Sequence, residues 1–175
     1  MKTIATVGLL ALLTSCTALN IDGARAGVRA QRVTATDRGE INGQSVSSSA
    51  TGSVAGTKLE LVNRVGRTTE VGLVFGYGRG AIEQVDIETF DVGMAAREFF
   101  GTGTVRPYFE GRIGYQRFGV RDDFLGHGGT DTATAGIGLG VELGSVFVQV
   151  DFDGAIGKDF DNHGPGLMVG GVVRF

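Results

Sequence analysis

The chain closes on GLMVGGVVRF, residues 166–175. Counting back from Phe175, one face holds Val173, Gly171, Val169 and Leu167, and the other Arg174, Val172, Gly170 and Met168. A period of two belongs to a β-strand, whose successive side chains point to opposite faces. Termini in water tend to fray, so an apolar stripe running to the last residue is unusual for a water-soluble domain. The stripe predicts a final strand whose outer face meets something other than water.

The same alternation recurs upstream. Val146, Val148, Val150 and Phe152 oppose Phe147, Gln149, Asp151 and Asp153. Ala133, Ala135, Ile137, Leu139, Val141 and Leu143 oppose two threonines, three glycines and Glu142. Phe109, Ile113 and Tyr115 oppose Arg106, Glu110, Arg112 and Gln116, and Phe90, Val92, Met94 and Ala96 oppose Asp91 and Arg97. Val71, Leu73, Phe75 and Tyr77 oppose Glu70 and glycines, and Leu59, Leu61 and Val65 oppose Lys58, Glu60 and Arg64. A first strand near Gly27 to Thr36 sets Ala26, Val28 and Ala30 against Arg29 and Gln31, with a bulge expected at Arg32-Val33. This gives eight strands. Residues 66–69, 100–104 and Gly144 read as tight turns, and residues 37–56, 79–86, 121–131 and 157–164 as longer polar loops. Short and long connections alternate, as in an up-and-down meander with both termini on the short-turn side.

The two faces decide where such a barrel belongs. One collects Arg29, Lys58, Arg64, Arg97, Arg106, Arg112 and Arg174 against Glu60, Glu70, Asp91, Glu110, Glu142, Asp151 and Asp153. The other is nearly free of charge. A closed barrel, apolar outside and with a balanced charge network inside, suits lipid, where open sheet edges are forbidden. The opposite assignment, apolar inside and charged outside, would be a soluble lipocalin-like barrel. The reading is therefore all-β: an eight-stranded antiparallel up-and-down transmembrane β-barrel over residues 27–175. Nine inward glycines (Gly72, Gly76, Gly78, Gly93, Gly114, Gly136, Gly138, Gly140 and Gly170) leave room for the long charged side chains, so the interior reads as a polar plug. Tyr77, Tyr108, Tyr115, Phe90, Phe99, Phe100 and Phe118 lie near strand ends and are expected in interfacial girdles. A net charge of −3 with no basic stripe argues against nucleic acid as a partner. With 42% hydrophobic residues and 20% charged, the chain is not of disordered composition.

The N-terminus, MKTIATVGLLALLTSC, has a positive Lys2 and an apolar core from Ile4 to Leu13, the pattern of a secretory signal peptide. Leu13-Thr14-Ser15-Cys16 resembles a bacterial lipobox, and Cys16 is the only cysteine. That division gives a signal peptide over 1–15, a lipidated linker over 16–26 and the barrel beyond. An ordinary cleavage after Ala24-Arg25-Ala26 is the alternative. In bacterial lipoproteins the residue after the cysteine influences sorting, and Thr17 is not the aspartate linked with inner-membrane retention, so the resemblance implies the outer membrane.

Over residues 27–175 the chain resembles the small outer-membrane β-barrels of the OmpA/OmpX type, most specifically in GLMVGGVVRF. The resemblance implies that Phe175, Val173, Val169 and Leu167 form the signal read by the barrel-assembly machinery. It departs from the family in carrying a lipobox and in placing Gly171 where a larger residue is usual. It implies a monomer in contact with outer-membrane lipid and lipopolysaccharide. No cofactor is expected beyond the lipid on Cys16. The expected role is structural or surface-interactive and not enzymatic, with a narrow pore for small solutes as the first alternative and a lipid A-modifying enzyme as the second.

Two stretches share the pattern Asp-Phe-x-x-His-Gly: DFLGHG at 123–128 and DFDNHG at 159–164. They hold both histidines. Asp123, His127, Asp159 and His163 would suit a divalent cation such as zinc if the loops converge. Turn chemistry alone also explains them, since Asp and Gly favour turns. The serines at 45, 47, 48, 49 and 53 have no spacing to either histidine that would suggest a catalytic triad.

Overall fold

A computed structural model describes residues 21–41, 44–120, 129–156 and 160–175. Its strands are β1 (Gly23–Ile41), β2 (Gln44–Arg64), β3 (Thr69–Ile82), β4 (Val85–Phe99), β5 (Val105–Val120), β6 (Thr130–Leu143), β7 (Val146–Ile156) and β8 (Phe160–Arg174). Each pairs antiparallel with the next, and β8 returns to β1, closing the barrel. Closure leaves the sheet no free edge along the wall, as a hydrocarbon surround demands.

The register sets the barrel's shape. Partners followed round the wall run Arg25, Glu60, Val74, Gly93, Gly114, Thr134, Ala155, Asn162 and back to β1 at Ala35. The circuit returns ten residues above its start, which tilts the strands about 40° from the axis. Every residue on this circuit faces inward. The inner wall thus carries one parity of each strand and the outer wall the other. From Ala24 to Ala30, Thr57 to Leu61, Val71 to Tyr77, Phe90 to Ala96, Val105 to Tyr115, Ala133 to Leu143, Val146 to Ile156 and Pro165 to Val173, no outward position carries a charge. That apolar wall belongs in a bilayer.

The start of β1, the end of β8 and the turns at 65–68, 100–104 and 144–145 lie at one end, as expected. The other end differs from the sequence reading. The stretch 37–56 is mostly strand: β1 and β2 stay paired as far as Ile41↔Gln44, beyond the last β1–β8 and β2–β3 pairs at Asp37↔Phe160 and Gly52↔Ile82. Serines and threonines disguised it as a loop. On the outer face they form cross-strand hydroxyl pairs, Thr34 with Thr51 at 3.4 Å and Thr36 with Ser49 at 3.0 Å. The stretch 79–86 is likewise a hairpin, closed by Glu83-Gln84 between the paired Ile82 and Val85. The bulge expected at Arg32-Val33 is absent, since β1 and β2 hold one register throughout. The phase changes there because the inner wall turns from charged to apolar: Val33, Ala35, Val54, Ile82, Ile87 and Phe118 pack together inside the barrel. β1 also begins four residues before the expected boundary at 27. The expected signal peptide and Cys16 lie outside the described residues.

Candidate functional site: the charged lumen

Inward side chains fill the lumen in layers. At the short-turn rim, Arg174 donates to Glu70 at 2.5 Å and to Glu142 at 2.7 Å, and Arg106 pairs with Glu142 while stacking over Phe99 at 4.1 Å. Arg64 reaches Glu70 only at 3.8 Å, with its side chain 41% exposed.

The next layer is sealed from solvent. Arg97 grips Glu60 and Glu110 together, its Nε donating to Glu110 at 2.8 Å. Arg25 donates to Glu142 and to the Tyr108 hydroxyl, each at 2.8 Å, and lies between the rings of Phe147 (4.1 Å) and Tyr108 (4.9 Å). Tyr108 donates to Gln149 at 2.8 Å, and Gln149 donates to Glu110 at 3.0 Å. Arg25, Arg97 and Glu110 are at most 2% exposed. Buried charges are tolerable only when paired and hydrogen-bonded, and here forked guanidiniums clamp carboxylates from facing strands. Glycines make the room: a Cβ on Gly140 would run into the Tyr108 ring.

Above it, Arg112 bridges Glu110 (3.0 Å), Asp151 (3.1 Å) and Asp153 (2.6 Å), and Arg29 holds Asp151 at 2.7 Å and Asp153 at 2.5 Å. Asp91 accepts from Gln116 at 2.7 Å, and Gln116 in turn accepts from Asn162 at 2.8 Å. Lys58 is buried beside these groups. A cavity of about 40 Å³, enough for a few water molecules, is lined by Lys58, Asp91, Gln116 and Asn162 among others. The apolar collar around Phe118 stands above it.

All fourteen charged residues expected in the lumen occupy inward positions, and the structure joins most of them in one network. Arg25 was missed because it fell in the expected linker, although it shares the parity of Arg29. Tyr108, Phe99 and Phe118 are corrected from girdle to interior: each is buried, on the parity of Arg106 and Glu110 or of Arg97. Tyr77, Phe90 and Tyr115 do face outward and are exposed. Phe175, Val173, Val169 and Leu167 lie exposed on the outer wall, and the Phe175 amide donates to the Asp22 carbonyl at 2.9 Å. Of the metal constellation, Asp123, His127 and Asp159 lie outside the described residues. His163 is on β8, not in a loop, and faces outward with its ring 6.1 Å from that of Phe152. Among the described residues no cluster of three or more His, Cys, Asp or Glu is arranged to hold a metal.

No family model and no curated protein matches the chain. Among solved structures it is similar to Neisserial surface protein A, with a TM-score of 0.56 and 19% identity over 87% of this chain and 97% of that one. It is similar to the outer membrane enzyme PagL, with a TM-score of 0.53 and 17% identity over 85% and 99%. The outer membrane protein OprG from Pseudomonas aeruginosa gives a TM-score of 0.50 and 11% identity over 90% and 98%. At these identities the likeness is one of fold. The chain has the fold of the small eight-stranded outer-membrane β-barrels, and with its uncharged outer wall the outer membrane is the location these findings support.

Proposed function

We propose that this barrel is a sealed, non-enzymatic, monomeric outer-membrane protein: a structural element whose loop end presents surfaces to partners outside the cell. The observation that carries the reading is Arg97, clamped between Glu60 and Glu110 across a lumen layer that solvent does not reach. A solute would have to part these ion pairs and then the apolar collar. Fold alone does not decide function, since one similar structure is an enzyme, so the reading rests on the interior. The β1–β2 hairpin, which stands above its neighbours, is the first candidate for a surface that meets a partner. A lipid on Cys16 would enter the leaflet at the short-turn end, where β1 begins. The refolded protein, its folding checked by the heat-dependent gel shift, is expected to leave planar bilayers electrically silent. Reproducible unitary steps would overturn the reading. They would favour the narrow pore, which the small cavities lined by Lys58 and Asp91 support.

A further inference from the structure

The charges inside the barrel do not balance. The fourteen lumen residues read from the sequence stand seven against seven, and Arg25 adds an eighth cation among the described residues below the apolar cluster. The excess surfaces where the lumen opens at the short-turn end. Three guanidiniums from three strands converge there on one oxygen, Glu70 Oε1: Arg174 of β8 at 2.5 Å, Arg64 of β2 at 3.8 Å and Arg106 of β5 at 4.0 Å. The other carboxylate in reach, Glu142, is already divided between Arg106, Arg174 and, from below, Arg25. Both carboxylates are buried, whereas the side chains of Arg64 and Arg174 are 41% and 29% exposed.

The acidic groups nearby are engaged elsewhere. The Asp22 carboxylate accepts from the Arg64 backbone amide at 2.8 Å, and Glu98 accepts from the Thr69 hydroxyl at 2.6 Å. Among the described residues, neither these two nor the C-terminal carboxylate pairs within 4 Å with Arg64, Arg106 or Arg174. Arg67, in the turn beside Arg64, adds a further exposed cation. Cations gathered round too few counter-charges at the mouth of a low-dielectric cylinder attract a further anion. The three arginines stand on the inner face of the strands, so they meet the aqueous compartment at this end and not the hydrocarbon. With short turns on the periplasmic side, that compartment is the periplasm. We infer that the short-turn mouth of the lumen binds one carboxylate group presented from the periplasm, with Arg64 as its principal contact and Arg106 and Arg174 beside it. An excess of one charge is met by a monoanion, and a planar carboxylate fits a guanidinium fork through two parallel hydrogen bonds. Neither a closed lumen nor a loop partner is needed for this.

The test is an NMR titration of the full refolded chain in uncharged micelles at low ionic strength. The probes are acetyl-alanyl-alanine, which carries one free carboxylate, its C-terminal amide, and lactate. The wild type is expected to bind the acid peptide and not the amide. R64Q, whose folding is checked by the heat-dependent gel shift, is expected to bind it about fivefold more weakly or worse. R117Q, on β5 at the loop end, is expected to match the wild type. Tighter binding of the acid peptide than of lactate would assign the carboxylate to a peptide terminus, and the reverse to a small organic acid; either supports the site. Equal affinity of the wild type for peptide acid and amide, or equal affinity of the wild type and R64Q for the acid, would overturn it. So would a loss in R117Q as large as in R64Q.

Discussion

Arg97 and Arg64 carry the same charge on the same inner wall, yet their environments predict very different energetic weight. Arg97 is buried and gripped by two carboxylates. Replacing it with alanine leaves Glu60 and Glu110 facing each other in a dry lumen, and the loss of one partner from such a cluster costs about 3–5 kcal/mol. Arg64 stands at the rim with one distant partner, and Arg64→Ala is expected to cost about 0–1 kcal/mol. Urea unfolding of the refolded barrel in micelles, followed by gel mobility, measures both. Equal losses would mean that burial does not set the strength of these ion pairs. Arg97→Lys is not a rescue, since an ammonium on a flexible stem does not reproduce a planar fork.

Two hairpin turns show how local chemistry sets an element. Gly144-Ser145 and Glu83-Gln84 each join paired strand ends, and in each the first turn residue has a positive φ, 64° at Gly144 and 55° at Glu83. Glycine takes that region freely, whereas a residue with a Cβ is strained by about 1–2 kcal/mol, partly offset by glycine's greater chain entropy. Glu83→Gly is therefore expected to stabilise the barrel by about 0.5–1 kcal/mol in the same urea assay, and a loss of stability would show that Glu83 makes a contact worth more than its strain. The elements also show what the sequence could reveal. Alternation exposed all eight strands and both walls, because in lipid the contrast between faces is large and inverted. It failed where that contrast fades. Residues 37–56 are mostly serine, threonine, glycine and charged residues, with no alternation of apolar and polar, so strand read as loop. Aromatic residues suit either the girdle or the interior, and Tyr108, Phe99 and Phe118 were misassigned by composition when parity with Arg106, Glu110 and Arg97 would have placed them. The ion-pair partners themselves were beyond reach, since they depend on a register that only closure of the barrel defines.

For the molecule as a whole, the proposed closure has two parts, the charged layers and the cluster of Val33, Val54, Ile87 and Phe118. Phe118→Ala opens only the second part, so it is expected to stay as silent as the wild type in planar bilayers. Unitary steps from this variant would make the collar the sole barrier. The charged layers are also joined across long stretches of chain: Arg25 to Glu142, Arg29 to Asp151 and Arg174 to Glu70 span 117, 122 and 104 residues. Such distant partners give the fold a high contact order, and their loop-closure entropy must be spent before any of them meets. A barrel missing its β1–β8 seam would hold Arg25, Arg29 and Arg174, which stand on those two strands, apart from their carboxylates on β3, β6 and β7, each left without its counter-charge. Half-built intermediates are therefore expected to be unstable inside the membrane. The ion pairs would make insertion cooperative: the last strand to dock completes the neutralisation of the interior, and the membrane favours the finished cylinder over its unfinished forms.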